Sequence, residues 1–178
     1  MSIRVLIIDD HAIVREGLRR IIDAMSNINV VGEAANGMTA LAGIDECNPD
    51  ILLADISMPG MSGIDLISRV HEGHPQMPVL VLSMHKESQF AVRALRAGAA
   101  GYLTKDCAPD ELEHAIRKVA AGGKYITENV ADVLAEAIIP VSLETPHKQL
   151  SNREFQIFRQ LAAGNTINQI AEELCISA

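Results

Sequence analysis

Three aspartates stand where short apolar runs end. Asp9 and Asp10 follow the run Arg4–Ile8, and Asp55 follows Ile51–Ala54. Carboxylates gathered within a few ångströms raise one another's pKa unless a cation joins them. Mg²⁺ suits such a set, because it takes one or two carboxylates and keeps positions for water and phosphate. Two further runs end at Ser83 and just before Lys105. A hydroxyl donor and an ammonium point charge at the rim of a Mg²⁺–carboxylate pocket suit a phosphoryl group. A carboxylate can itself be the nucleophile that receives one. The chemistry open to this set is therefore formation of an aspartyl phosphate. Taken singly, each aspartate is explained by turn and cap chemistry, and Ser83 by the end of a strand; the set as a whole is not.

Those residues need a frame that brings separate run ends together. From Ile3 to Tyr125, short β-branched runs alternate with longer stretches of helical period, which predicts a parallel sheet with helices on its faces. The expected strands are Arg4–Ile8, Val30–Ala34, Ile51–Ala54, Val79–Ser83 and Gly101–Leu103. Between them, Val14, Leu18, Ile21, Ile22 and Met25 recur at helical spacing, as do Leu66, Ile67 and Val70, Val92 and Leu95, and Leu112, Ile116 and Val119. Asn48-Pro49, Gly73-His74-Pro75 and Gly122-Gly123 supply turns. The fold class is α/β, a doubly wound five-stranded parallel sheet of flavodoxin-like order 2-1-3-4-5. That order makes the first and third strands neighbours and puts their carboxyl ends at the switch point where ligands bind.

Beyond Gly123 the alternation stops. Thr127 to Ile139 reads as one more helix, ended by Pro140, and residues 140–150 as a linker. Ser151 with Glu154, and Thr166 with Gln169, have the spacing of capping boxes. The first opens a helix carrying Phe155, Phe158 and Ala162, with Gly164 as its terminator; the second opens one carrying Ile170 and Leu174. Two short helices at a tight turn begin a helix-turn-helix. The chain divides into residues 1–123, the carboxylate-bearing domain; 124–150, a linker helix and linker; and 151–178, an all-α helix-turn-helix fragment.

Composition limits what surrounds this core. The 178 residues are 48% hydrophobic and 21% charged, which excludes wholesale disorder. No apolar run approaches the ~20 residues needed to span a bilayer, and no cleavable signal pattern opens the chain, so a cytoplasmic, membrane-free protein is expected. Cys47, Cys107 and Cys175 are odd in number and far apart, which argues for reduced, mostly buried thiols. The net charge is −8. Residues 1–124 hold 12 basic and 16 acidic groups and residues 125–178 hold 3 and 7, so each part carries −4. Any nucleic-acid contact must be local.

The chain resembles the response regulators of two-component signalling. The matching stretches are Val5-Leu6-Ile7-Ile8-Asp9-Asp10-His11, Asp55-Ile56-Ser57-Met58-Pro59-Gly60-Met61-Ser62-Gly63, Val81-Leu82-Ser83-Met84 and Gly98-Ala99-Ala100-Gly101-Tyr102-Leu103-Thr104-Lys105. The resemblance implies a receiver domain with Asp55 as phosphoacceptor and a histidine kinase as donor. It also implies Asp10, Asp55 and the Ser57 carbonyl as direct Mg²⁺ ligands, with Asp9 acting through water. Lys105 would contact the phosphoryl group. Ser83 and Tyr102 would form the switch, the hydroxyl turning to the phosphate and the ring moving inward behind it. The tail is similar to the LuxR-type helix-turn-helix of NarL/FixJ regulators, through Leu150-Ser151-Asn152-Arg153-Glu154, Ala163-Gly164 and Ile170-Ala171-Glu172-Glu173-Leu174-Cys175-Ile176-Ser177. This implies a DNA-binding output and a phosphorylation-dependent homodimer.

The tail departs from that pattern. Thr166-Ile167-Asn168-Gln169 stands where the family has a Ser/Thr-Asn-Lys-Glu run, losing a basic residue. Ser177 reads as the N-cap of the next helix with only Ala178 after it, so a recognition helix is not expected within these 178 residues, nor is sequence-specific DNA binding by them. The 28 residues from Ser151 fall below the ~40 that fold alone. They are expected to dock on the receiver, swap with a partner chain, or order poorly. His11 is expected to cap the first helix, although it could serve as a base or ligand; His85 either modulates the pocket or is solvated. Glu172-Glu173 reads as a solvated face. Two rivals remain: a phospho-dependent interaction module without DNA binding, and a phosphatase of the haloacid dehalogenase kind. The latter places its two aspartates two residues apart after the first strand, whereas here the pair is adjacent and the lone Asp follows the third.

Overall fold

A computed structural model describes residues 2–84, 88–127, 130–131, 150–162 and 165–173. Five strands form one sheet: β1 (Ile3–Ile8), β2 (Ile28–Ala34), β3 (Ile51–Ala54), β4 (Val79–Ser83) and β5 (Gly101–Thr104). The order is β2-β1-β3-β4-β5 and every pairing is parallel, as expected. Parallel neighbours need a long crossover, and the helices α1 (Ala12–Asp23), α2 (Gly37–Cys47), α3 (Gly63–Gly73) and α4 (Ser88–Arg96) supply it, while α5 (Pro109–Ala120) follows β5 and packs on the sheet.

Strand alternation divides the core in two. Leu6, Ile8, Leu52, Ala54, Val79 and Val81 face α2, α3 and α4, whereas Val5, Ile7, Ile51, Leu53, Leu80 and Leu82 face α1 and α5. The central strands are buried on both faces, which is why they read as continuous apolar runs. The β5 edge is covered by Tyr125, whose backbone exchanges hydrogen bonds with Ala100 and Tyr102. A Cβ on Gly101 would lie 2.7 Å from the Tyr125 carbonyl, so the close approach requires glycine there.

Helix α2 was not among the periodic stretches expected. It is bounded by Asn36, whose side chain accepts from Thr39 N, and by Asn48 in the left-handed conformation at φ 43°. In α1, Ile22 is buried but Ile21 turns outward, so the expected apolar face is narrower than its five residues. Strand β2 begins two residues earlier than expected, at Ile28. Cys47 and Cys107 are free and only partly buried.

After β5 and α5, the amides of Val130 and Ala131 donate to the Thr127 carbonyl, one helical turn at the start of the expected 127–139 helix. The rest of that helix, the 140–149 linker, Gly164, His85, Cys175 and Ser177 lie outside the described residues. Both capping boxes form. Ser151 N donates to Glu154 Oε2 at 2.8 Å and Glu154 N to Ser151 Oγ at 3.3 Å, opening α6 (Asn152–Ala162). Hydrogen bonds from the Ser151 hydroxyl and then from its amide hold the Glu154 carboxyl below its ordinary pKa. Thr166 and Gln169 repeat the arrangement at α7 (Ile167–Glu173).

Of the three fates expected for the tail, docking is what the described residues adopt. Phe155 of α6 is buried edge-on against Phe90 of α4, with ring centroids 5.5 Å apart. The Arg93 guanidinium lies 4.0 Å from the Phe155 ring centre, and its Nη1 donates to the Leu150 carbonyl at 3.2 Å. Burial, then the nearby Arg96 charge, holds the Arg93 pKa below the usual arginine value. Phe158 and Ala162, expected to share the face of Phe155, are exposed instead.

Candidate phosphoacceptor site

The site is assembled where β1, β3, β4 and β5 end. Register fixes it: Ile8 pairs with Ala54 and Ser83 with Thr104, so the following residues emerge side by side. The ladder runs on past the strands, with Asp9 N donating to the Ala34 carbonyl, Asp55 N to Ile8 and Lys105 N to Ser83. Asp9 and Asp55 are 1% and 3% exposed, so two carboxylates are buried together and a neutralising partner is required.

Lys105 is that partner. Its Nζ stands 2.6 Å from Asp9 Oδ2 and 2.9 Å from Asp55 Oδ2. Burial alone would lower its pKa; hydrogen bonds to Asp55 and Asp9, reinforced by their charges, outweigh this and raise it above 10.5. The other Asp55 oxygen, Oδ1, accepts from Ile56 N at 2.7 Å. Asp9 Oδ1 accepts from His11 N at 2.8 Å, which turns the chain into α1. His11 occupies the N-cap position, but its side chain makes no capping bond, contrary to expectation. Its Nδ1 points back to the carboxylates, 3.0 Å from Asp10 Oδ1 and 3.3 Å from Asp9 Oδ1.

The donor set fits a hard divalent cation. Ligand atoms of Asp9, Asp10, His11 and Asp55 all lie within 4.8 Å of one another. Asp10 Oδ1 is a buried oxygen that accepts no hydrogen bond, an atom for which a cation is the natural complement. Ser57, two residues after Asp55, is exposed.

Ser83 is fully buried at the end of β4. Tyr102 lies one strand over, paired with Val81, and its ring is already buried at 3% exposure in the cluster that holds Phe90 and Phe155.

Three residues that the sequence reading did not single out frame the site. Arg15 Nη1 donates to the Asp9 carbonyl at 2.6 Å while its Nε pairs with Glu33 at 3.3 Å, tying the end of β1 to β2. Ser62 is buried at the N-cap of α3, donating to Asp65 Oδ2 at 2.7 Å and accepting from Asp65 N at 3.2 Å. The spacing Ser62-x-x-Asp65 before an apolar run is a legible capping signal. Gly63 lets α3 start directly against the chain at Asp55, because a Cβ there would meet the Asp55 carbonyl oxygen at 2.2 Å.

Comparison with known proteins now bears on this geometry. Residues 5–117 match the response regulator receiver domain, and residues 148–178 match the luxR family of bacterial regulatory proteins. The response regulator UvrY of Escherichia coli is 38% identical over 176 residues, 98% of this chain and 81% of UvrY. The response regulator GacA of Pseudomonas aeruginosa is 36% identical over 98% of this chain and 82% of its own length. A LuxR-family two-component response regulator from Aurantimonas sp. superposes with a TM-score of 0.72 at 37% identity, covering 77% of this chain and 98% of that one. RcsB of Salmonella typhimurium, solved in a study of DNA interaction, gives 0.69 at 28% identity over 99% of this chain and 85% of RcsB; RcsB has also been solved as two dimers bound to two parallel DNAs. No described helix is long and apolar enough to cross a membrane. With both parts of its length matched and relatives similar along nearly all of it, the chain belongs to the response regulators of two-component systems, a receiver domain followed by a LuxR-type DNA-binding domain.

Proposed function

We propose that this cytoplasmic protein accepts a phosphoryl group on Asp55 from the phosphohistidine of a histidine kinase, and that the resulting aspartyl phosphate controls a DNA-binding output of which residues 151–178 are a part. The observation that carries this reading is the Lys105 ammonium bridging Asp9 and Asp55 in a buried pocket at the strand ends. In the transfer, the P–N bond to the kinase imidazole breaks, a P–O bond forms to the Asp55 carboxylate, and the imidazole leaves with a proton. Mg²⁺, when bound, supplies charge neutralisation for the phosphoryl oxygens and the crowded carboxylates. Asp10, Asp55 and the Ser57 carbonyl would hold it, with Asp9 reaching it through water.

The chain's own groups do the rest. Lys105 moves from carboxylate to phosphoryl oxygen as charge shifts outward, and Ser83 donates its hydroxyl to another phosphoryl oxygen. Ser83 and Tyr102 form the switch, the hydroxyl turning to the phosphoryl group and the ring filling in behind it, so that phosphorylation biases a two-state element. In this reading residues 1–123 receive the signal, 124–150 connect, and 151–178 belong to the DNA-binding output, with homodimer formation on DNA as the active state. Turnover is confined to the protein's own phosphorylation and slow hydrolysis of the aspartyl phosphate.

Intact mass after incubation with Mg²⁺ and acetyl phosphate is the test. One phosphoryl adduct, about 80 Da, is expected on the wild type and none on Asp55→Asn. An undiminished adduct on Asp55→Asn, or none on the wild type, overturns the assignment.

A further inference from the structure

The imidazole of His11 is unexplained by helix capping. It sits at the N-cap of α1, yet the capping contact is made by Asp9 Oδ1 on the His11 amide, and the ring makes no cap bond. Instead Nδ1 is aimed at the carboxylate pair, 3.0 Å from Asp10 Oδ1. That approach is close without the alignment of a hydrogen bond, and it leaves the buried Asp10 oxygen without a hydrogen-bond partner. Two donor atoms that converge without bonding to each other are arranged as neighbours on a common cation. The distance agrees: adjacent ligands of an octahedral ion with bonds of about 2.1 Å stand about 3.0 Å apart.

We propose that His11 is a nitrogen ligand of the Asp9–Asp10–Asp55 cation site, allowing first-row transition metals, Ni²⁺ and Zn²⁺ foremost, to displace Mg²⁺ from it. The inference rests on the metal site of the function proposed above and adds its specificity. Mg²⁺ is oxygen-seeking and keeps water in preference to imidazole. Imidazole suits Zn²⁺ and Ni²⁺, which bind mixed nitrogen and oxygen sites more tightly in the order of the first-row series. A site of carboxylates alone would discriminate less. His11 has the reach to provide it because its side chain is 65% exposed and unconfined on its outer side. Among the described residues, this is the single group of three or more acidic, histidine or cysteine side chains able to hold a metal ion.

Calorimetric titration of the full chain with Mg²⁺ alone and Ni²⁺ alone, at one fixed pH, tests this on the wild type, His11→Ala and Asp10→Asn. The wild type should bind one Ni²⁺, and a repeat of the Ni²⁺ titration on protein saturated with Mg²⁺ should show Ni²⁺ displacing it at a weakened apparent affinity. His11→Ala should lose about tenfold or more in Ni²⁺ affinity, while its Mg²⁺ affinity stays within about twofold. Asp10→Asn should weaken both. Unchanged Ni²⁺ binding by His11→Ala, Ni²⁺ binding that saturating Mg²⁺ leaves unaltered, or an equal loss of both metals in His11→Ala each overturns the proposal. Absence of Mg²⁺ binding by the wild type overturns instead the metal site on which it rests.

Discussion

Replacing Lys105 with methionine removes a buried cation and keeps the aliphatic stem. At an effective dielectric of about 20, unit charges at the 2.6 and 2.9 Å separations found here attract by about 6 kcal/mol each. Desolvation of a side chain that is 9% exposed cancels much of that. Removing one partner of a buried pair costs about 3–5 kcal/mol, because the charges left behind are uncompensated. The pocket opens to solvent on the Asp10 side, where the carboxylate is 24% exposed, so the lower end, about 3 kcal/mol, applies. The loss should depend on metal. At about a hundred times its Kd, Mg²⁺ restores about 2.7 kcal/mol, and it should bind Lys105→Met more tightly than the wild type because it no longer competes with the ammonium. Urea unfolding followed by circular dichroism, in EDTA and in Mg²⁺, reads both effects. A loss of the same size with and without Mg²⁺, or an unchanged Mg²⁺ Kd, would refute the view that Lys105 and the cation answer the same buried charge.

The same lysine sets an alkaline limit. Since its folded pKa is raised, its stabilisation is complete below the unfolded value of 10.5 and is lost as pH climbs through the folded one, so the wild type should destabilise above pH 10.5 more steeply than Lys105→Met in EDTA. Gly63→Ala should cost about 3 kcal/mol or more in denaturant stability, because the added methyl meets the Asp55 and Ile56 backbone; a loss under about 1 kcal/mol would show that α3 can shift. Phe155→Ala should remove about 2–4 kcal/mol of docking, from ring burial and the Arg93 contact. Hydrogen exchange should then speed in α6 while β1 and β3 keep their protection, and unchanged α6 protection would contradict the packing.

The central strands β1, β3 and β4 were legible because they are apolar runs buried on both faces, and the strand ends placed Asp9, Asp10, Asp55, Ser83 and Lys105. Helix α2 escaped because its first eight residues, Gly37-Met38-Thr39-Ala40-Leu41-Ala42-Gly43-Ile44, contain no charged residue and offer little polar contrast. Its flanking asparagines, and the crossover that β2 and β3 demand, were the available signals. The inward Tyr102 ring and the turn of His11 away from capping are choices among side-chain rotamers, which spacing does not encode. Docking of the tail through Phe155, while Phe158 faces outward, depends on a surface of α4 supplied from some 60 residues earlier in the chain.

That docked face has a consequence for every other binder of α4. A molecule that needs Phe90 and Arg93 can engage only the fraction of chains in which α6 has let go. A docking free energy of about 2.7 kcal/mol leaves about 1% of chains open and weakens the apparent affinity about a hundredfold. Occupancy of α4 is thus decided by competition within the chain, at a local concentration no external partner can dilute, and any change that loosens α6 strengthens such a partner's binding without touching its contacts.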